Sequence, residues 1–77
     1  MTRKRYEVVP DGDDWKVKTG GRTVRRYENK ERAVQEAAAR GRAAEERGEN
    51  SQVVIHRKDG TFQDERTYGD DRFPPRG

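Results

Sequence analysis

The chain has 77 residues, a formal net charge of +3 and 43% charged residues, but only 27% hydrophobic residues. A chain of this length has room for one small domain and excludes a multidomain enzyme or a fold with a large core. No stretch approaches the ~20 apolar residues of a membrane-spanning helix, the start lacks the apolar region of a secretory signal, and cysteine is absent. We therefore expect a cytoplasmic protein without disulfides or thiolate metal sites.

Large aliphatic side chains are scarce, so any core must be minimal. Leu is absent, and Leu, Ile, Val and Phe together number 10 of 77 residues. Because 18 basic residues are nearly matched by 15 acidic ones, composition alone leaves both a small globular domain and a partly disordered chain open. The residue pattern favours the domain.

Alternating side chains predict three β-strands in the first 27 residues. The first strand covers residues 5–10 and ends in a turn. The second covers residues 15–18, with Trp15 and Val17 on one face. The third covers residues 22–27 and follows a Gly-Gly reversal. Connections this short predict an antiparallel meander.

A period of 3.6 residues then predicts a helix over residues 30–47, with Asn29 as its N-cap and Gly48 just beyond its end. One face of this helix carries a stripe of small apolar residues, namely Ala33, Val34, Ala37, Ala38, Gly41 and Ala44. Because Gly41 weakens a helix by roughly 1 kcal/mol relative to Ala, we expect it to allow close packing of the helix above the bulky Trp15.

Residues 52–57 and 61–66 predict a second hairpin, because Asp59-Gly60 is a strong turn signal. The turn is either a two-residue type I′ turn or a three-residue loop with Gly60 in the left-handed region. The two alternatives differ by one residue of register, so the neighbours of Phe62 on the fourth strand stay open.

The predicted order βββαββ gives a two-layer α+β fold, in which one helix packs on a face of an antiparallel sheet. We expect a single domain over residues 1–68 and a Pro/Gly tail over residues 69–77. Phe73 of this tail either covers the open end of the core, which we prefer, or belongs to a polyproline-type ligand. The predicted core consists of Tyr6, Val8, Trp15, Val17, Val24, Val34, Ala37, Ala38, Gly41, Val53, Ile55 and Phe62.

Two stretches carry a family resemblance, and they are "RYEVVPDGDDWKVK" and "HRKDGTFQDERTYG". Together with the Ala- and Glu-rich helix between them and the ending "FPPRG", they resemble a small prokaryotic family, domain-of-unknown-function family 2188. The resemblance covers nearly the whole chain and implies a shared fold. None of its motifs is catalytic, so it implies no activity.

Residues 12–45 also resemble the βββα unit of integrase arm-type DNA-binding domains and of plant ethylene-response-type DNA-binding domains. The likeness rests on a Trp on an early strand, basic strand residues and an Ala-rich helix. In those proteins the outer face of the sheet enters the DNA major groove. The likeness holds only if the two later strands neither cross that face nor change the edge of the sheet.

The basic excess lies in residues 1–28, which hold eight Lys/Arg and five Asp/Glu, whereas the remaining residues are balanced. If Trp15, Val17 and Val24 point to the helix, alternation turns basic side chains to the outer face, where only Glu7 opposes them. Such a face binds the phosphates of DNA or RNA with little sequence specificity, unless it is an ordinary solvated surface. The predicted nucleic-acid-binding residues are Arg3, Arg5, Lys16, Lys18 and Arg25, with Arg22 in the turn and Arg26 near the strand end.

The same outer face also carries Val9, Thr23 and Tyr27 by alternation, and Val54 in one register. This apolar surface predicts, as the alternative function, a homodimerising or protein-interaction module without a nucleic-acid role. Single exposed apolar residues are normal on monomers, however, and need no function.

Catalytic residue types are scarce, so we expect no enzyme, cofactor, metal or small-molecule substrate. Nucleophilic catalysis needs a Ser or Cys beside a base, and the chain has one Ser, Ser51, and one His, His56, which lies within a strand. All paired carboxylates are adjacent in sequence, so their side chains diverge. The acidic turn at residues 11–14 lacks the spacing of a calcium loop.

Overall fold

The computed structural model describes residues 4–69. The elements are, in chain order, β1 (Lys4–Asp11), β2 (Asp14–Thr19), β3 (Arg22–Tyr27), α1 (Lys30–Glu46), β4 (Ser51–His56) and β5 (Phe62–Tyr68). The predicted order and the α+β class are confirmed. The boundary between domain and tail stays a prediction, because the tail after Gly69, including Phe73 and both roles suggested for it, lies outside the described residues.

All five strands form one sheet in the order β3-β2-β1-β4-β5. Neighbouring strands are antiparallel except β1 and β4, which run parallel. The sheet is therefore mixed, and the expectation of an antiparallel sheet was wrong at this one pair.

The length of α1 explains the parallel pair. Its 17 residues span about 25 Å, so the helix returns the chain from the end of β3 to the end of the sheet where β1 begins. β4 consequently starts beside the start of β1, with Lys4 opposite Ser51, and runs in the same direction.

The core lies between α1 and one face of the sheet. Tyr6, Val8, Trp15 and Val17 are buried there, which confirms the alternation predicted for β1 and β2. The other buried apolar residues on this side are Ala33, Ala37, Ala38, Ala44, Val53 and Ile55. Two predicted members of the core, Val24 and Val34, are half-buried and pack against it.

Both ends of α1 have the predicted caps. The Asn29 side-chain oxygen accepts a hydrogen bond from the Arg32 backbone N–H at 2.9 Å. After the helix, Gly48 has a φ of +84°, in the left-handed region that favours glycine at this position.

Replacing Asn29 with Ala is expected to lower the free energy of unfolding by about 1 kcal/mol, because one N–H of the first turn loses its acceptor. Urea denaturation followed by circular dichroism measures the change. Asn29→Ser is the control, since serine also caps helices. Equal stability of the Ala and Ser variants would contradict the assigned cap.

The α1 helix approaches the sheet closely at Gly41. The buried Ser51 hydroxyl donates a hydrogen bond to the Gly41 carbonyl at 3.1 Å, and a methyl group on Gly41 would lie 2.7 Å from Cδ2 of Tyr68. The predicted close approach of the helix to the sheet is therefore confirmed, but the nearest side chains are those of Tyr68 and Ser51 and not the expected Trp15. Ser51 is a buried polar residue that the predicted core does not include.

Of the two turns predicted between β4 and β5, the structure has the three-residue loop. The Arg57 N–H donates to the Thr61 carbonyl at 2.7 Å, and Gly60 has a φ of +92°. Within the loop, hydrogen bonds from the Thr61 hydroxyl and backbone N–H lower the pKa of Asp59.

Phe62 is 55% exposed, so its predicted place in the core was wrong. A β-bulge in the pairing of β4 with β5 shifts the register, and Ile55 faces Asp64 whereas His56 faces Phe62. Because Ile55 points to α1, alternation along β4 turns His56, and with it Phe62, to the opposite face.

Candidate nucleic-acid interface

No helix or strand within residues 4–69 covers the sheet face opposite α1, which we call the open face. The last hairpin extends the sheet beyond β1 and does not cross this face. Trp15 and Val17 are buried beneath α1, so alternation along β2 places Lys16 and Lys18 on the open face. The predicted position of these two lysines on the face away from the helix is confirmed.

The neighbours of the two lysines are set by the strand register. Lys16 lies between Val9 of β1 and Arg26 of β3, and Lys18 lies beside Glu7 of β1. Both lysines are partly exposed. Among the residues that the structure describes, neither lysine forms a salt bridge.

Arg5 reaches the open face from β1, two residues before Glu7. Its Nε atom lies 3.2 Å from the Glu7 carboxylate, so part of its charge is neutralised. Arg5, Glu7 and Lys18 line a groove that ends at the turn formed by Gly20 and Gly21.

Arg25 and Arg26 lie on opposite sides of the edge strand β3. A bulge shifts the pairing of β2 with β3, so Arg25 faces Val17 and Arg26 faces Lys16. Arg25 is therefore on the helix side, with its guanidinium 5.9 Å from the centre of the Tyr27 ring. The prediction that Arg25 points away from the helix was wrong, and Arg26 lies on the open face instead.

The same bulge moves Tyr27 to the helix side. Tyr27 faces Trp15 and packs against the core. Partial burial and the nearby Glu36 carboxylate raise the pKa of its phenol. The expectation that Tyr27 adds apolar surface to the outer face was therefore wrong.

The remaining predicted site residues lie elsewhere. Arg22 begins β3 opposite Thr19, and Thr19 faces Tyr6 on the helix side. Arg3 lies outside the described residues. Four of the seven predicted residues thus share the open face, and we call Arg5, Lys16, Lys18 and Arg26 the open-face cluster.

Arg32 is not among the predicted site residues, but it lies beside the end of β3. A groove at the junction of β3 and α1 is lined by Arg25, Arg26 and Arg32, together with Tyr27 and Asn29. Arg32 comes three residues after the N-cap, so the short connection from β3 to α1 is the signal that places it beside the end of β3.

The β4–β5 half of the open face differs from the β1–β3 half. Val54 is only 4% exposed, and the neighbouring side chains of Gln52 and Glu65 form a hydrogen bond. Phe62 is exposed on the same half. The apolar area predicted for this face is therefore smaller than expected, because Val54 is already buried in a single chain.

Within residues 4–69, no group of three or more His, Asp or Glu side chains is arranged to hold a metal ion. In the same part of the chain, no helix is long and apolar enough to cross a membrane.

Residues 6–68 match the sequence profile of a bacterial family described as uncharacterized protein conserved in bacteria (DUF2188). The chain belongs to this family. The match begins in β1 and ends with β5, so the DUF2188 region includes part or all of every element and confirms the family resemblance seen in the sequence. No curated protein and no solved structure matches the chain.

The DUF2188 region contains three members of the open-face cluster, Lys16, Lys18 and Arg26, whereas Arg5 precedes it. The second resemblance, to integrase arm-type domains, depended on a sheet whose edge stays unchanged. Here β4 pairs along β1, so β1 is no longer an edge strand. That condition is not met, and the integrase likeness supports no function for this chain.

Proposed function

We propose that this DUF2188 protein is a non-enzymatic module that binds the phosphate backbone of nucleic acid through the open-face cluster. The observation that carries the proposal is the position of Lys16 and Lys18. They stand on an uncovered face and have no salt-bridge partner among residues 4–69. Two lysines that are two residues apart on one strand are separated by about 6.6 Å along it, which gives a compact pair of positive charges.

Arg5 and Arg26 flank the lysine pair and add to its charge. Each is held by one carboxylate, Arg5 by Glu7 and Arg26 by Asp11. Both arginine side chains are more than half exposed, and exposed ion pairs of this kind contribute only about 0–1 kcal/mol. A phosphate group therefore competes readily with Glu7 or Asp11 for the guanidinium.

The chemistry of the cluster favours affinity over sequence recognition. Long, flexible cations contact phosphates, which fix position but carry no sequence information. Release of counterions from the phosphates makes such binding fall steeply with salt. The proposed ligand is therefore DNA or RNA of mixed sequence, and the assay below compares the two.

The positions of Ser51 and His56 support a non-enzymatic role. Ser51 is buried beneath α1, with its hydroxyl bonded to the Gly41 carbonyl. His56 lies on the open face, with Nδ1 3.2 Å from the Val8 carbonyl oxygen. The sheet separates the two side chains, so they do not form a nucleophile and base pair.

Binding is tested by fluorescence anisotropy with a labelled DNA duplex and a labelled single-stranded RNA over a series of salt concentrations. We expect the Lys16→Glu/Lys18→Glu variant to weaken binding at least about tenfold at ~50 mM salt, because two phosphate contacts become repulsive. We expect Lys16→Gln/Lys18→Gln to reduce the slope of log K against log salt by about 2.

A matched control separates a local site from net charge. Arg42→Glu/Lys58→Glu changes the net charge by the same amount at two exposed positions outside the cluster. Binding close to that of the unmodified protein is expected for this control. If it loses as much affinity as the Lys16/Lys18 variant, or if neither nucleic acid binds at ~50 mM salt, the proposal is wrong.

Two other predictions from the sequence stay predictions. A cytoplasmic location is part of the proposal and is tested by fractionating cells that express the full chain. Homodimerisation through the open face is the second. The apolar surface on which it was predicted is smaller than expected, because Val54 is buried within one chain and Tyr27 lies on the helix side. The edges of the sheet offer a different route to self-association.

A further inference from the structure

The sheet has two edge strands, β3 and β5. Within residues 4–69 each of them pairs with a neighbour on one side only. The unpaired side of an edge strand presents backbone N–H and C=O groups that can accept another strand, and proteins oppose this with charges or bulges. The two edges of this sheet differ in how strongly they oppose a second copy of the same chain.

The β3 edge opposes self-pairing. Three of its six residues are arginines, namely Arg22, Arg25 and Arg26. In antiparallel self-pairing, a register centred on Val24 places Arg22 opposite Arg26, and one centred on Arg25 places Arg25 opposite itself. Like charges directly opposite one another are destabilising. Both edge strands have a bulge, at Val24 in β3 and at Gln63 in β5, so the charges and not the bulges distinguish the two edges.

The β5 edge is self-complementary in one register. Its charged residues are Asp64, Glu65 and Arg66, and all three are exposed. Regular pairing of β5 begins at Asp64, after its bulge at Gln63. When this part of β5 pairs antiparallel with β5 of a second copy about Glu65, Asp64 lies opposite Arg66 of that copy. Two-fold symmetry repeats this pair, so the register creates two cross-strand pairs of opposite charge.

Neither Asp64 nor Arg66 is used in a salt bridge within residues 4–69, although Asp64 already accepts one hydrogen bond. Asp64 faces Ile55 and Arg66 faces Val53, so both side chains lie on the helix side at the border of the core. Asp64 Oδ1 accepts this hydrogen bond from the neighbouring Glu65 backbone N–H at 2.8 Å.

We propose that the chain forms a symmetric dimer by antiparallel pairing of β5 with β5 of a second copy, in the register that places Asp64 opposite Arg66. Glu65 opposes this dimer, because at the two-fold axis it lies opposite Glu65 of the second copy. The two carboxylates are on the open face of the sheet. A hydrogen bond from Gln52 draws the Glu65 carboxylate toward β4. A contact limited to one short strand is small, so the dimer is weak, with a dissociation constant of roughly 10 μM to 1 mM.

Sedimentation over a range of protein concentrations, without nucleic acid, tests the dimer and its register. Asp64→Arg alone and Arg66→Asp alone are each expected to weaken the dimer about tenfold or more, because two attractive pairs become repulsive. The combined variant Asp64→Arg/Arg66→Asp restores the pairs with reversed polarity, so its dissociation constant should return to within about threefold of the original.

Glu65→Gln provides a test in the opposite direction. Removing the repulsion at the two-fold axis is expected to tighten the dimer by about threefold. The matched control Glu45→Arg makes the same charge change as Asp64→Arg, on an exposed position of α1, and should leave dimerisation unchanged. Circular dichroism confirms that each variant is folded.

Three results would overturn the dimer. The first is a single monomeric species at about 1 mM. The second is failure of the combined variant to recover when the single variants are impaired and folded. The third is growth beyond a dimer with rising concentration, since it would indicate head-to-tail pairing of β5 with the arginine-rich β3. None of these results bears on nucleic-acid binding.

Discussion

Replacing Trp15 with Ala is expected to lower the free energy of unfolding by about 4 kcal/mol, because removal of a large buried aromatic side chain costs about 3–5 kcal/mol. Trp15 is 7% exposed and is the largest member of a core made otherwise of Tyr, Val, Ala and Ile. Lys30 from the first turn of α1 lies 5.0 Å from the centre of its ring, so the indole also anchors the start of the helix.

This loss is a large fraction of the free energy of unfolding of the whole domain. A domain of 77 residues is typically stable by about 4–12 kcal/mol, so the Ala variant is expected to be mostly unfolded at the lower end of that range. Urea denaturation followed by far-ultraviolet circular dichroism measures the loss, since the variant has no tryptophan fluorescence.

Two variants show which property of Trp15 matters. Trp15→Phe keeps an aromatic ring in the core and should lose less stability than the Ala variant. Lys30→Ala removes the cation above the ring and should lose about 0.5–1 kcal/mol. A loss below about 1.5 kcal/mol for Trp15→Ala would contradict the placement of the indole beneath α1.

Regular alternation explains how much of the sheet could be predicted. In β1 and β2 every second residue changes face without interruption, so Tyr6, Val8, Trp15 and Val17 were placed correctly. Gly48 and Asn29 mark the helix ends by residue type alone. These features depend on local sequence, which is visible without any knowledge of neighbouring strands.

The bulges explain most of what could not be predicted. A bulge in β3 exchanges the faces of Arg25 and Arg26, and one at Gln63 near the start of β5 turns Phe62 away from the core. Bulges are often marked by glycine, but neither bulge has a glycine at the shifted residues. Register is a property of two strands together, so one strand's sequence does not show it.

The candidate site was predicted in part for the same reason. Lys16 and Lys18 lie on a regular strand and were placed correctly. The partner that neutralises Arg26 depends on geometry between elements, because Asp11 of β1 reaches Arg26 of β3 across β2. The parallel β1–β4 pair likewise depends on the length of α1. The sequence pattern predicted the helix but did not show that β4 would lie beside β1.

Replacing Gly41 with Ala is expected to lower the free energy of unfolding by about 1–2 kcal/mol. A new Cβ would lie 2.7 Å from Cδ2 of the Tyr68 ring and 3.2 Å from the Ser51 hydroxyl oxygen. Overpacking of this kind costs about 1–3 kcal/mol, which exceeds the gain of up to about 1 kcal/mol from better helix propensity. The sign of the change is therefore informative, because alanine would stabilise α1 if the space were open.

A double-mutant cycle with Tyr68→Ala assigns the cause. Without the Tyr68 ring, the clash at Gly41 is reduced to the contact with Ser51, and the helix propensity of alanine acts almost unopposed. Gly41→Ala should then change stability by less than about 0.5 kcal/mol or be stabilising. An equal loss in both backgrounds would show that the ring is not the obstacle, and a stabilising effect in the unmodified protein would contradict close packing of α1 against β4 and β5.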